Sequence, residues 1–79
     1  MDKSITTAAY AELIRILRDA RVEAAISQQQ LAELLDEPQS FVSKYESGSR
    51  RLDLIELKEI AEALGLSLLT LVQRLEAGR

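Results

Sequence analysis

Cysteine and histidine are both missing from the 79 residues of this chain. Without cysteine there are neither disulfides nor thiolate metal ligands. Without histidine the commonest metal ligand and the usual acid–base group near neutral pH are gone as well. One proline and three glycines leave no linker, repeat or low-complexity stretch. No apolar run approaches the ~20 residues needed to span a bilayer. The opening MDKSITTAAY carries neither the apolar region nor the cleavage signal of a secreted chain, so a cytoplasmic location is expected. There is no glycine-rich phosphate loop, and the neighbouring acids Asp36 and Glu37 belong to a turn. Neither an enzyme nor a cofactor, metal, membrane or small-molecule substrate is expected.

What remains is a composition 47% apolar and 29% charged, which is globular and not disordered. Residues 1–79 should form one domain. A chain this short buries only about 60–65% of its unfolded surface, so its stability margin is small and oligomerisation is one usual remedy. Apolar spacing and capping signals predict an all-α fold of five helices. The first runs from about Thr7 to Glu23, with Tyr10, Leu13, Ile14, Leu17, Ala20 and Ala24 on one face. The second follows a capping box, Ser27 with Gln30, and ends near Leu35. The third covers about Gln39 to Ser47, closed by a left-handed Gly48. The fourth opens with Asp53 and Glu56 as a second capping box and stops at Gly65. The fifth begins after Ser67 and continues to about Glu76.

The centre of the chain, QQQLAELLDEPQSFVSKYESG from Gln28 to Gly48, carries the functional signal. Leu31, Ala32 and Leu35 share one helical face, and Val42 and Tyr45 share another. Between them Pro38 forces Glu37 out of the α region, which breaks the helix. Ala32 is small where two steeply crossed helices must approach. This is the layout of a helix-turn-helix. The chain resembles the XRE family, the Cro and phage-repressor type. The resemblance lies in Arg21, Ser27-Gln28, Leu31-Ala32, Leu35, Gln39-Ser40, Val42, Tyr45-Glu46 and Gly48, with Leu54–Leu71 similar to the family's two closing helices. It covers about residues 13–75 and implies a lambda-repressor-like domain, with the helix-turn-helix at about 27–47 and the last two helices at about 53–76. Two positions depart from the pattern: Asp36 and Ala25 stand where glycine is common. Asp tolerates a left-handed backbone; Ala does so less well, so the end of the first helix is expected to differ slightly.

Val42 and Tyr45 belong to the core, which leaves Gln39, Ser40, Ser43 and Lys44 on the opposite side of the third helix. The resemblance implies that these four face base edges. Their chemistry suits it: Gln can pair with adenine, Ser with either base type, and Lys with guanine or a phosphate. Gln28, in the first turn of the second helix, is implied to meet a phosphate where free amides and the helix dipole help. Ser47, Arg50 and Arg51 lie beside the exit of the third helix and are expected to contact phosphates, which sets register without reading sequence. Arg21 and Glu46 are implied to form a partly buried structural ion pair. Phe41 is expected to pack against the loop, the alternative being that its edge touches a thymine methyl or a sugar.

Net charge is −3 and the isoelectric point about 4.9, which argues against indiscriminate nucleic-acid binding but not against a local basic face. Lys44, Arg50 and Arg51 would make that face, while Asp53, Glu56, Glu59 and Glu62 lie on the fourth helix. The function implied is sequence-specific binding of double-stranded DNA, as a transcriptional repressor or autoregulator of bacterial or phage origin. The competing reading is a protein-interaction module that keeps the fold without DNA binding. Leu66, Leu68, Leu69, Leu71, Val72 and Leu75 exceed what one face of the fifth helix can bury. Leu68, Leu71 and Val72 are expected in the core and Leu69 and Leu75 outside it, in a homodimer that places two reading helices on a pseudo-palindromic operator.

Overall fold

The computed structural model describes residues 7–78, so residues 1–6 and 79 of the expected domain lie outside the described part. Those residues form five helices and no strand: α1 (Ala8–Glu23), α2 (Gln28–Leu35), α3 (Gln39–Glu46), α4 (Leu54–Ala63) and α5 (Leu68–Ala77). Four helices start at a short polar side chain that accepts a first-turn amide: Thr7, Ser27, Asp53 and Ser67. Both expected capping boxes, Ser27 with Gln30 and Asp53 with Glu56, are closed in both directions. α3 differs, because its cap is Pro38 in extended conformation with no side-chain hydrogen bond.

The ends of α1 to α4 share one geometry. A backbone N–H reaches back to the carbonyl five residues earlier: Ile26 to Arg21 at 3.2 Å, Glu37 to Ala32 at 2.9 Å, Ser49 to Lys44 at 2.9 Å and Leu66 to Ala61 at 2.8 Å. That closure needs a left-handed residue, supplied by Ala25, Asp36, Gly48 and Gly65 at φ of 60°, 58°, 85° and 83°. Ala25 makes the same turn as the others, and a side chain in that conformation costs about 1–2 kcal/mol.

α1 packs on α3 and α5, α2 on α3 and α4, and α4 on α5. Between them Leu17, Leu31, Ala32, Val42, Tyr45, Ile60, Ala61 and Leu71 are essentially closed to water. Ala32, the small residue of α2, is wholly closed to water. Tyr10, Ile14, Leu17 and Ala20 are buried as their spacing indicates. One member of that face needs correction, and one residue outside it joins the core. Ala24 is exposed, because it is already the C-cap. Ile16 is buried instead, because α1 is covered on a second side, where Ile16 shares a groove with Arg74, Ala77 and Gly78 at the end of α5.

α5 also departs from expectation. Leu71 is buried, and Leu68 and Leu75 pack half-buried against the core, while Val72 and Leu69 are 43% and 66% exposed. At ~100° per residue, Leu68, Leu71 and Leu75 make one narrow stripe. Val72 falls at its flank and Leu69 further round, so Val72 and Leu75 exchange the places assigned to them. Leu69 and Val72 therefore lie exposed beside the core stripe, with the exposed Glu76 projecting between them one turn further along. No helix among the described residues is long and apolar enough to cross a membrane.

Candidate nucleic-acid interface

α3 is fixed from behind by its own sequence. Val42 and Tyr45, one turn apart, are both wholly buried against α1 and α2. Gln39, Ser40, Ser43 and Lys44 are all exposed on the other side. The eight-residue helix thus presents a polar strip of short or hydrogen-bonding side chains, carried on a rigid apolar back.

A chain of side-chain hydrogen bonds ties that strip to the scaffold. Arg21 grips Glu46 through Nε at 2.7 Å and Nη2 at 3.1 Å, and its Nη1 donates to the Ile26 carbonyl at 2.9 Å. Only 13% of the Arg21 side chain and 5% of that of Glu46 reach solvent. The pair is therefore desolvated, and the carboxylate holds the guanidinium above its already high ordinary pKa. Gln28 Nε2 donates to Glu46 Oε1 at 3.0 Å, and Gln39 Nε2 donates to Gln28 Oε1 at 3.4 Å. Gln28 thus links the ion pair to the first residue of α3, a placement its position in the sequence does not disclose. Of the amides in its helical turn, that of Gln30 is taken by Ser27 at 3.0 Å, while those of Gln28 and Gln29 have no carbonyl within α2 to bond, as at any helix start.

The exit loop after α3 is organised around two aromatic rings. The Tyr10 hydroxyl accepts the Leu52 N–H at 3.1 Å and donates to the Arg50 carbonyl at 3.3 Å. The Arg51 guanidinium lies 4.6 Å from the centre of the same tyrosine ring. Arg50 lies 4.7 Å from the centre of Phe41, which meets Tyr45 edge-on at 5.6 Å. Phe41 therefore packs against the loop, as expected. Ser47 is exposed, and its hydroxyl donates to the Lys44 carbonyl at 3.0 Å and lies 3.1 Å from that of Ser49. Arg50 has an occupation its sequence neighbourhood does not reveal. Nη1 and Nη2 bond the two oxygens of Glu56 at 3.1 and 3.0 Å. Arg50 holds the carboxyl of Glu56 below the usual carboxylate range, and the Asp53 N–H adds to the effect.

A helix-turn-helix family profile matches residues 17–71, which span the interface from α1 to the first half of α5. The chain belongs to the XRE family of helix-turn-helix proteins. An XRE-family like protein from Pseudomonas syringae pv. tomato str. DC3000 is 44% identical, with a TM-score of 0.87 over 95% of this chain and 92% of that one. The fold is shared with a mutant of the restriction-modification controller protein C.Esp1396I, at 22% identity and a TM-score of 0.83 over 91% of both chains. It is shared too with the clp gene regulator ClgR from Corynebacterium glutamicum, at 21% identity and 0.79 over 91% of this chain and 77% of that one. No curated protein matches the sequence.

Within this XRE domain the expected site residues fall into three groups. Gln39, Ser40, Ser43 and Lys44 come together on one face of α3. Gln28 joins them through Gln39. Ser47, Arg50 and Arg51 line the loop at the far end, where Arg50 is committed to Glu56. Sequence reasoning missed Tyr10 as the anchor of that loop and Glu56 as the partner of Arg50. Glu56 had a complete local explanation as half of a capping box, and nothing in the spacing hints at its second contact.

Proposed function

We propose that this protein regulates transcription by binding double-stranded DNA sequence-specifically, with α3 in the major groove. The observation that carries the reading is the polarity of α3: Val42 and Tyr45 are locked into the core, and Gln39, Ser40, Ser43 and Lys44 are all presented outward. Gln39 offers the donor–acceptor pair that matches an adenine edge, the serines adapt to either base type, and Lys44 can donate to guanine. Phosphate contacts come from Arg51, supported on Tyr10, and from Ser47 and the start of α2 at Gln28. The XRE family is one of DNA-binding regulators, and the names of the two more distant fold relatives describe a controller and a gene regulator. A cytoplasmic repressor or autoregulator of bacterial or phage origin that needs no cofactor fits this reading.

The protein acts as a homodimer through α5. The support is the pair Leu69 and Val72, left exposed beside the core stripe of α5 on a small domain. A two-fold dimer sets the two copies of α3 about 34–36 Å apart, one DNA turn, on a pseudo-palindromic site. Sedimentation of the parent and of a Leu69→Glu/Val72→Glu variant tests this. A folded, monomeric double variant is expected, and a parent that stays monomeric at high micromolar concentration contradicts it.

Selection from a randomised duplex library, followed by binding of Gln39→Ala and Ser40→Ala, tests the DNA reading. Each variant should lose about 1–3 kcal/mol of discrimination at one position. If both select the parent's sequence with the parent's affinity, α3 is not the reader. The alternative is a protein-interaction module without DNA binding. It draws on Leu54 and Ile55, each 61% exposed in the first turn of α4, and predicts that the parent selects no sequence at all.

A further inference from the structure

α3 packs on α1 and α2, whereas α4 packs on α2 and α5. The recognition helix and α4 are joined through the exit loop, and one side chain occupies the centre of that junction. Arg50 places its guanidinium over Phe41 of α3 and delivers both terminal nitrogens to Glu56 in the first turn of α4. Nη1 also donates to the Arg51 carbonyl at 3.2 Å, which stiffens the loop itself. Glu56 accepts the Asp53 N–H at 2.9 Å with the oxygen that Nη1 uses, so the same carboxylate starts α4 and holds Arg50. On the other side Phe41 leans on buried Tyr45 and follows Gln39 and Ser40 directly in sequence. A continuous stack, Glu56–Arg50–Phe41–Tyr45, therefore runs from α4 into the back of the recognition helix.

We propose that Arg50 is a positioning residue for the recognition helix and not a phosphate ligand, with Glu56 taking the place a DNA phosphate would fill; this rests on the DNA-binding reading above. Two physical points carry it. A bidentate pair with a carboxylate uses the planar fork of arginine, the geometry by which it also grips phosphate, so the two partners compete for one set of donors. Although 40% of the Arg50 side chain reaches solvent, a guanidinium already paired with a carboxylate also releases fewer counterions from DNA than an unpaired one. The adjacent arginines thus divide the work: Arg51 supplies charge at the backbone, and Arg50 sets the angle at which Gln39 and Ser40 meet the bases.

The test measures binding of the full chain to the duplex selected by the parent and to a scrambled duplex, across a salt series. Arg51→Ala should weaken both duplexes alike and lower the salt slope by about one. Arg50→Lys keeps the charge but loses the fork and the stack. It should leave the slope unchanged and reduce the ratio of selected to scrambled affinity about ten-fold, the scale of a misplaced base contact. Glu56→Gln retains an acceptor for the Asp53 N–H, so α4 still starts, and the ratio should fall in the same way. A change in melting temperature alone, with the ratio intact in both variants, overturns the proposal. So does an Arg50→Ala slope lowered by one, or a Glu56→Gln protein that binds both duplexes more tightly at an unchanged ratio. A parent that binds no duplex removes the DNA reading itself, and the proposal with it; a parent that binds while Arg50 behaves as Arg51 removes only the proposal.

Discussion

Replacing Glu46 with alanine should cost about 3 kcal/mol of folding stability. The carboxylate is 5% exposed and takes three hydrogen bonds, two from Arg21 and one from Gln28. Its loss leaves the guanidinium of Arg21, 13% exposed, held by the Ile26 carbonyl at 2.9 Å. Breaking a buried pair by removing one partner costs about 3–5 kcal/mol. The surviving hydrogen bond and the small opening to water place this case at the lower end. A domain of this length has about 4–12 kcal/mol in total, so the variant keeps a quarter to three-quarters of its margin. At about 4–8 °C per kcal/mol for a small domain, the melting temperature should drop by about 12–24 °C. Urea unfolding followed by far-UV circular dichroism reads the loss directly, and an unchanged m-value certifies that stability alone has moved. An Arg21→Leu/Glu46→Leu double variant, which removes both charges, should recover most of the loss. If Glu46→Ala costs less than about 1 kcal/mol, the range of a solvated surface pair, the pair does not act as a desolvated anchor and the reasoning fails.

Tyr45→Phe should be neutral or stabilising by about 1 kcal/mol, since the buried hydroxyl has no hydrogen-bond partner among the described residues and burial pushes its pKa upward; a clear fall in melting temperature would reveal a partner. Ala25→Gly should raise stability by about 0.5–1 kcal/mol, the relief of a left-handed alanine less the added unfolded-state freedom of glycine, and an unchanged unfolding midpoint would count against strain there. The folded pKa of Glu56 is lowered, so its contribution is fully present above the ordinary carboxylate value of about 4.3 and is lost as pH falls through the folded value. Acid unfolding of Glu56→Gln should accordingly be flatter over that window than that of the parent, and superimposable profiles would refute the assignment.

Helix boundaries were legible because their causes are local. Ser27 with Gln30, Asp53 with Glu56, and the glycines at 48 and 65 act within one turn of the backbone they control. The outward strip on α3 was legible for the same reason, since Val42 and Tyr45 fix its rotation. Assignments that depend on what a face meets were not. Ile16 reads as off-face until α5 covers it, and Val72 and Leu75 have nearly equal claims to the core until neighbouring helices choose between them. Arg50, flanked by serine and arginine, looks like part of a basic surface run. Its pairing with Glu56 and its stacking on Phe41 arise only when α3, the loop and α4 converge. Tyr10 is forty positions from the loop it holds, and its spacing on α1 signals nothing beyond core.

The tether from Tyr10 has a consequence for how opening of this protein can be watched. Leu52 is buried, and its N–H is bonded to a side-chain oxygen from α1 and not to a neighbouring carbonyl of its own segment. Most protected amides in a helical domain exchange with solvent when their own helix frays. This one stays closed when a single helix end loosens and opens when α1 lifts from the loop, so its hydrogen–deuterium exchange rate tracks a sub-global event. A single amide resonance thus reports whether the loop carrying Arg50 and Arg51 is assembled, separately from whether the helices on either side are wound.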